Sequence, residues 1–94
     1  DGTWLGALEE TESALTRYAS ELDRVAALRR ARANSAEAAR IARLRYRAGR
    51  EPFQTTLDAE RSLSQVEAAL AQAEAQLSTN LIAVFLALGG GWQS

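Results

Sequence analysis

Ala48-Gly49-Arg50-Glu51-Pro52 interrupts a chain that otherwise reads as helix from near its start to near its end. Gly49 can adopt the left-handed conformation that closes a helix, and Pro52 suits the first turn of the next one. Those five residues therefore predict a short αα-hairpin loop. On either side lie long stretches rich in Ala, Leu, Glu, Arg and Gln, the strong helix formers. The first runs roughly over residues 5–48 and the second over 53–88. At 1.5 Å per residue they make rods of about 65 Å and about 54 Å, a length that helical seams explain better than a globular core. The expected fold class is all-α, a long antiparallel coiled-coil helical hairpin with its turn at 48–52, as a single segment over residues 1–94.

Working outward from the turn, the second stretch has the clearer period. Leu63, Val66, Leu70, Ala73, Leu77, Asn80, Val84 and Ala87 alternate spacings of three and four, which defines a seam of paired heptad positions. Asn80 is its one polar member, a residue type that fixes register at some cost in stability. In the first stretch Leu8, Thr11, Leu15, Tyr18, Leu22 and Val25 follow the same rule. The next position falls on Arg29, so the phase slips there and Leu28 takes over. Beyond the slip the seam turns small, with Ala31, Ser35, Ala38, Ala39 and Ala42, letting two helix axes approach closely; such a slip locally changes the supercoil.

Charge supports antiparallel pairing about the turn. Residues 24–50 hold nine arginines against one acid, Glu37, whereas residues 51–94 hold five acids against Arg61. Folding the chain back at the loop brings Arg43 near Glu60 and Arg29 near Glu74. The arginines around the turn (Arg40, Arg43, Arg45, Arg47, Arg50) lack interleaved aromatics or a nucleic-acid motif and face an acidic arm. They read as a solvated, hairpin-pairing face, and no nucleic-acid partner is expected.

Several function classes fall away. With no Cys, His or Met among 94 residues, disulfide frameworks, Cys/His zinc sites and imidazole catalysis are excluded. Asp58 and Glu60 form the nearest approach to a catalytic carboxylate pair, but positions two apart on a helix point in different directions. No enzyme, cofactor or metal is expected. No run of 18 or more apolar residues exists, so no helix spans a bilayer. No signal peptide is visible, and the opening Asp1-Gly2-Thr3-Trp4 is expected to be the edge of a segment from a longer protein. The stretch from Asn80 to Leu88 is apolar almost all round, more than one partner helix can cover, which implies a larger assembly rather than a capped helix end.

Three motifs carry a family likeness. Arg45-Tyr46-Arg47-Ala48-Gly49, then Leu57-Asp58-Ala59-Glu60-Arg61-Ser62-Leu63, and finally Leu86-Ala87-Leu88-Gly89-Gly90-Gly91-Trp92 occur in order over essentially the whole chain. Together they resemble the C-terminal part of TolC/OprM-type outer-membrane efflux proteins, nearer the OprM-like branch than TolC.

The resemblance implies that the parent is the outer-membrane channel of a tripartite pump for drugs or small molecules. Family members are homotrimers whose subunits combine membrane β-strands with a periplasmic helical tunnel. This chain would be the last helical hairpin, periplasmic, without the membrane strands, soluble and unable to conduct. Alone it is expected to self-associate, for example as a dimeric helical bundle. Tyr46, Arg47, Ala48, Gly49 and Arg50 would form the tip that docks a periplasmic membrane fusion (adaptor) protein, itself coupled to an inner-membrane pump. Asp58 falls where the family places an acidic ring at the closed tip, with Arg61 one turn beyond. Like charges gathered at one level of a narrow pore repel one another and favour cations. Two departures stand out. Thr55 occupies a position where some members carry a second acid, and Glu51-Pro52 makes the turn stiffer and more acidic than the family's pattern. The competing reading is a soluble coiled-coil scaffold or adaptor with no membrane role.

Overall fold

The computed structural model describes the backbone of residues 2–92 and the side chains of residues 4–89. The protein is all-α: α1 spans Gly2–Arg47 and α2 spans Phe53–Trp92. Both helices run further outward than the expected bounds. Gly89, Gly90 and Gly91 continue α2, because glycine weakens a helix by about 1 kcal/mol relative to alanine without sterically forbidding it. The side chain of Trp92, which closes the third motif, lies outside the described residues. No helix among the described residues is long and apolar enough to cross a membrane.

The turn closes as a Schellman motif. Gly49 has φ of 73°, the Arg50 N–H donates to the Arg45 carbonyl at 2.9 Å, and the Gly49 N–H donates to the Tyr46 carbonyl at 2.9 Å. These bonds use two of the carbonyls that the end of α1 leaves without helical partners. Pro52 stands just ahead of α2, where its carbonyl accepts the Thr55 N–H at 3.2 Å.

The chain divides into two compact units. The turn unit, Ala26–Gln72, is an antiparallel helix pair with Ala39, Ala42, Thr56 and Leu70 buried along its interface. Small residues let the backbones come close enough for the Thr56 hydroxyl to donate to the Ala42 carbonyl at 3.3 Å. Arg43 pairs with Glu60 as its spacing from the turn predicts, and Arg32 pairs with Glu67 at 3.3 Å. These pairs are about half exposed, and exposed pairs contribute only ~0–1 kcal/mol each, so they hold register more than stability.

The other unit joins Asp1–Val25 to Ala73–Ser94. Its interface buries Ala14, Val25, Ala73 and Val84, and the Asn80 amide donates to the Arg17 carbonyl across it at 3.4 Å. Along α2 the buried and half-buried positions are those of the expected seam, from Leu63 through Asn80 to Ala87. Along α1 the seam is correct at Thr11, Tyr18, Val25 and Leu28 but not at Leu8, Leu15 and Leu22, which are 45%, 48% and 43% exposed. Ala7, Ala14 and Glu21 face inward in their place. The two sets stand one residue apart, about 100° round the helix. The close approach of the pair selects the small set and leaves the leucines on the flank.

Candidate functional site: the turn and the outer arc of α2

α1 ends in three residues that meet the turn with different chemistry. Arg45 pairs with Glu51 at 3.1 Å, which ties the loop to the last turn of α1. The Tyr46 ring leans on Phe53 across the loop, with centroids 5.2 Å apart and planes tilted by 53°. That geometry lies in the favourable tilted range for aromatic pairs. Both rings remain about half exposed, at 45% and 51%, and Leu44 and Leu57 nearby are also exposed. Arg47 completes α1, followed by Ala48, Gly49 and Arg50, all exposed. The five residues expected to act together at the tip thus form one continuous, solvent-facing turn.

The three gate candidates lie on neighbouring positions of α2 that point away from its seam. At about 100° per residue, Thr55, Asp58 and Arg61 stand about 260°, 200° and 140° round from buried Thr56, so they share one arc with Asp58 at its centre. All three are exposed. The Gln54 amide donates to an Asp58 carboxylate oxygen at 3.0 Å, one helical turn back. Thr55 also borders an open groove with Ala38, Ile41, Ala42, Arg45 and Ala59, so it touches both the arc and the flank of the pair.

One turn higher on α1, Arg40 holds Glu37 through its Nε at 3.0 Å. This hydrogen bond, with the arginine's charge adding to it, lowers the Glu37 carboxyl below its ordinary value and raises Arg40, against a small opposing desolvation. The effect is local to a fully solvated surface.

Phe53 and Gln54 belong to the site although the sequence reading did not single them out. The i,i+4 spacing of Gln54 and Asp58 is a legible signal for an amide–carboxylate pair. Phe53 is the first residue after the loop and Tyr46 the second before it, a near-symmetric placement that brings two rings together.

Known proteins agree with this architecture. The family model for outer membrane efflux proteins matches residues 1–90. A 54-residue stretch is 43% identical to the pyoverdine export outer membrane protein OpmQ of Pseudomonas putida, covering 57% of this chain and 12% of that relative. The chain therefore spans only a small part of that relative's length. No solved structure matches. With the three motifs, the helical hairpin and a family match over nearly the whole length, the chain belongs to the outer membrane efflux protein family.

Proposed function

We propose that this helix pair is a wall segment of the periplasmic tunnel in a homotrimeric outer-membrane efflux channel. Its turn is the tip that meets a periplasmic adaptor protein, and the adaptor couples the channel to an inner-membrane pump. The OpmQ relative is named for pyoverdine export, and small-molecule export is the corresponding activity for the parent of this chain. The hairpin acts by packing, docking and gated passage, not by chemistry.

The observation that carries this reading is a second seam on α1. Leu8, Glu12, Leu15, Ala19 and Leu22 repeat at spacings of four and three, and all are exposed. The pair with α2 uses the adjacent stripe through Ala7, Thr11, Ala14, Tyr18, Glu21 and Val25. A helix with two seams has two helical neighbours, as the staves of a closed helical barrel do. Exposed Ile82, Phe85 and Leu86 on α2 add apolar surface that one partner leaves uncovered. At the tip, Asp58 centres the arc that would line the constriction, flanked by Thr55 and Arg61, while Tyr46 to Arg50 form the docking turn.

The test is to place Leu15→Asp, alone and with Leu22→Asp, in the parent gene. The expected result is loss of assembled channel from outer-membrane extracts and loss of export. In the isolated chain the same changes should leave helicity intact, since neither side chain lies in the α1–α2 interface. Wild-type export and assembly by the double variant would overturn the reading.

A further inference from the structure

The turn carries more positive charge than its own acids neutralise. Around it, Arg40 is held by Glu37, Arg43 by Glu60 and Arg45 by Glu51. Among the described residues no ion pair engages Arg47 or Arg50, and both are exposed. A cation in the last turn of a helix complements the negative end of its macrodipole, and Arg45 and Arg47 occupy that turn. Arg50 has no such role, because it follows Gly49 and contributes its backbone N–H to the closure of the turn. Beside these cations lie the half-exposed rings of Tyr46 and Phe53. The turn therefore presents an apolar platform with two guanidinium groups that the chain itself leaves unanswered.

From this juxtaposition we infer that the partner docking at the turn is a helical segment with a protruding apolar side chain bracketed by carboxylates. The apolar group covers Tyr46 and Phe53, and the acids engage Arg47 and Arg50. This inference rests on the docking role proposed above and adds the chemistry of the partner. A guanidinium offers its N–H groups in a planar fork that matches a carboxylate's two oxygens, so Arg at both positions favours paired recognition of acids. Both cations are solvated, so the contribution is steering and selection: exposed ion pairs are weak and salt-screened, whereas a rim of complementary charge rejects like-charged partners.

Two synthetic amphipathic helical peptides test this, each with a central leucine, one carrying glutamate a turn to either side and the other glutamine. Binding to the 94-residue chain is measured by calorimetry at low and high salt. The expected result is tighter binding of the glutamate peptide by about threefold to tenfold at low salt, the scale of one or two exposed ion pairs. That preference should vanish at high salt and in the Arg47→Gln/Arg50→Gln variant. The Arg47→Glu/Arg50→Glu variant should prefer a third peptide carrying lysines. Circular dichroism checks that each variant keeps its helicity. Equal binding of the glutamate and glutamine peptides, lost on Tyr46→Ala, would overturn the acidic partner and leave docking at the turn standing. Binding that no turn substitution alters would remove the docking surface itself, and failure of the glutamate peptide to bind would overturn the inference.

Discussion

The Thr56 hydroxyl donates to the Ala42 carbonyl at 3.3 Å, in the buried interface of the turn unit. Thr56 is the buried polar side chain of that interface, and its partner is a backbone carbonyl already engaged in its own helix. Replacing it with valine keeps shape and volume and leaves no donor stranded. Thr56→Val should therefore change stability by no more than about 1 kcal/mol, the net worth of one hydrogen bond. Thr56→Asp buries a carboxylate without a partner and should prevent tight pairing near the turn. Denaturant unfolding of the chain checks both, and a valine variant as damaged as the aspartate one would show that the hydroxyl is indispensable.

Gly49 supplies the second prediction. Its φ of 73° lies in the left-handed region, and an added Cβ would meet nothing within 4 Å. The cost of Gly49→Ala is then backbone strain alone, about 1–2 kcal/mol. Gly49→Asn should cost less, since asparagine tolerates this conformation. Urea unfolding that ranks Gly above Asn above Ala is the expected outcome, and a neutral alanine variant would contradict the strained turn.

The turn and the α2 seam were legible because each depends on one local signal: a Gly/Pro pair between helix formers, and an unbroken three-four period through Leu63, Leu70, Leu77 and Val84. The pairing of Arg43 with Glu60 followed from the turn by counting. The α1 seam was legible only in part. Thr11, Tyr18 and Val25 belong both to a seam with Leu8, Leu15 and Leu22 and to one with Ala7, Ala14 and Glu21. Hydrophobicity favours the leucines, and only the close approach of the helices selects the alanines. Phe53 and Gln54 stayed invisible because their roles arise from contacts across a loop and along a helix turn, which composition does not rank.

That partial misreading carries a third prediction. The leucine stripe left over on α1 needs a cover, and the isolated chain has only copies of itself to provide one. Light scattering should show concentration-dependent association that Leu15→Lys with Leu22→Lys weakens, with helicity unchanged. By contrast, Val25→Ala removes a side chain only 2% exposed and should lower stability by about 1–3 kcal/mol without relieving association. A wild-type chain that stays monomeric at high concentration would contradict the second seam.

Glu37 and Arg40 predict a small acid-side effect. The folded value of Glu37 lies below its ordinary 4.5, chiefly through the hydrogen bond from Arg40. The bond's contribution is therefore present above the unfolded value and lost as pH falls through the lowered folded one. Arg40→Gln should flatten the pH dependence of the unfolding midpoint across that window only, and added salt should flatten the wild type likewise because the pair is solvated. Identical slopes in both proteins would mean that the pair does not form in solution.

The last prediction concerns Asp58 in the parent channel. In the single chain its carboxylate is exposed on the outer arc of α2 and accepts only the Gln54 amide among the contacts on that arc. Copies of this arc facing a common axis would gather Asp58 carboxylates at one level and set a negative ring across the path of permeating ions. Asp58→Asn removes the charge while keeping the Gln54 contact, so it separates electrostatics from local helix structure. Planar-bilayer recordings of the parent should show lower cation preference and weaker block by multivalent cations in Asp58→Asn. Gln54→Ala should leave ion preference intact, because it removes the amide and spares the charge. If the asparagine channel keeps wild-type selectivity and block, Asp58 lies outside the constriction, and the arc of Thr55, Asp58 and Arg61 faces another helix instead of the pore.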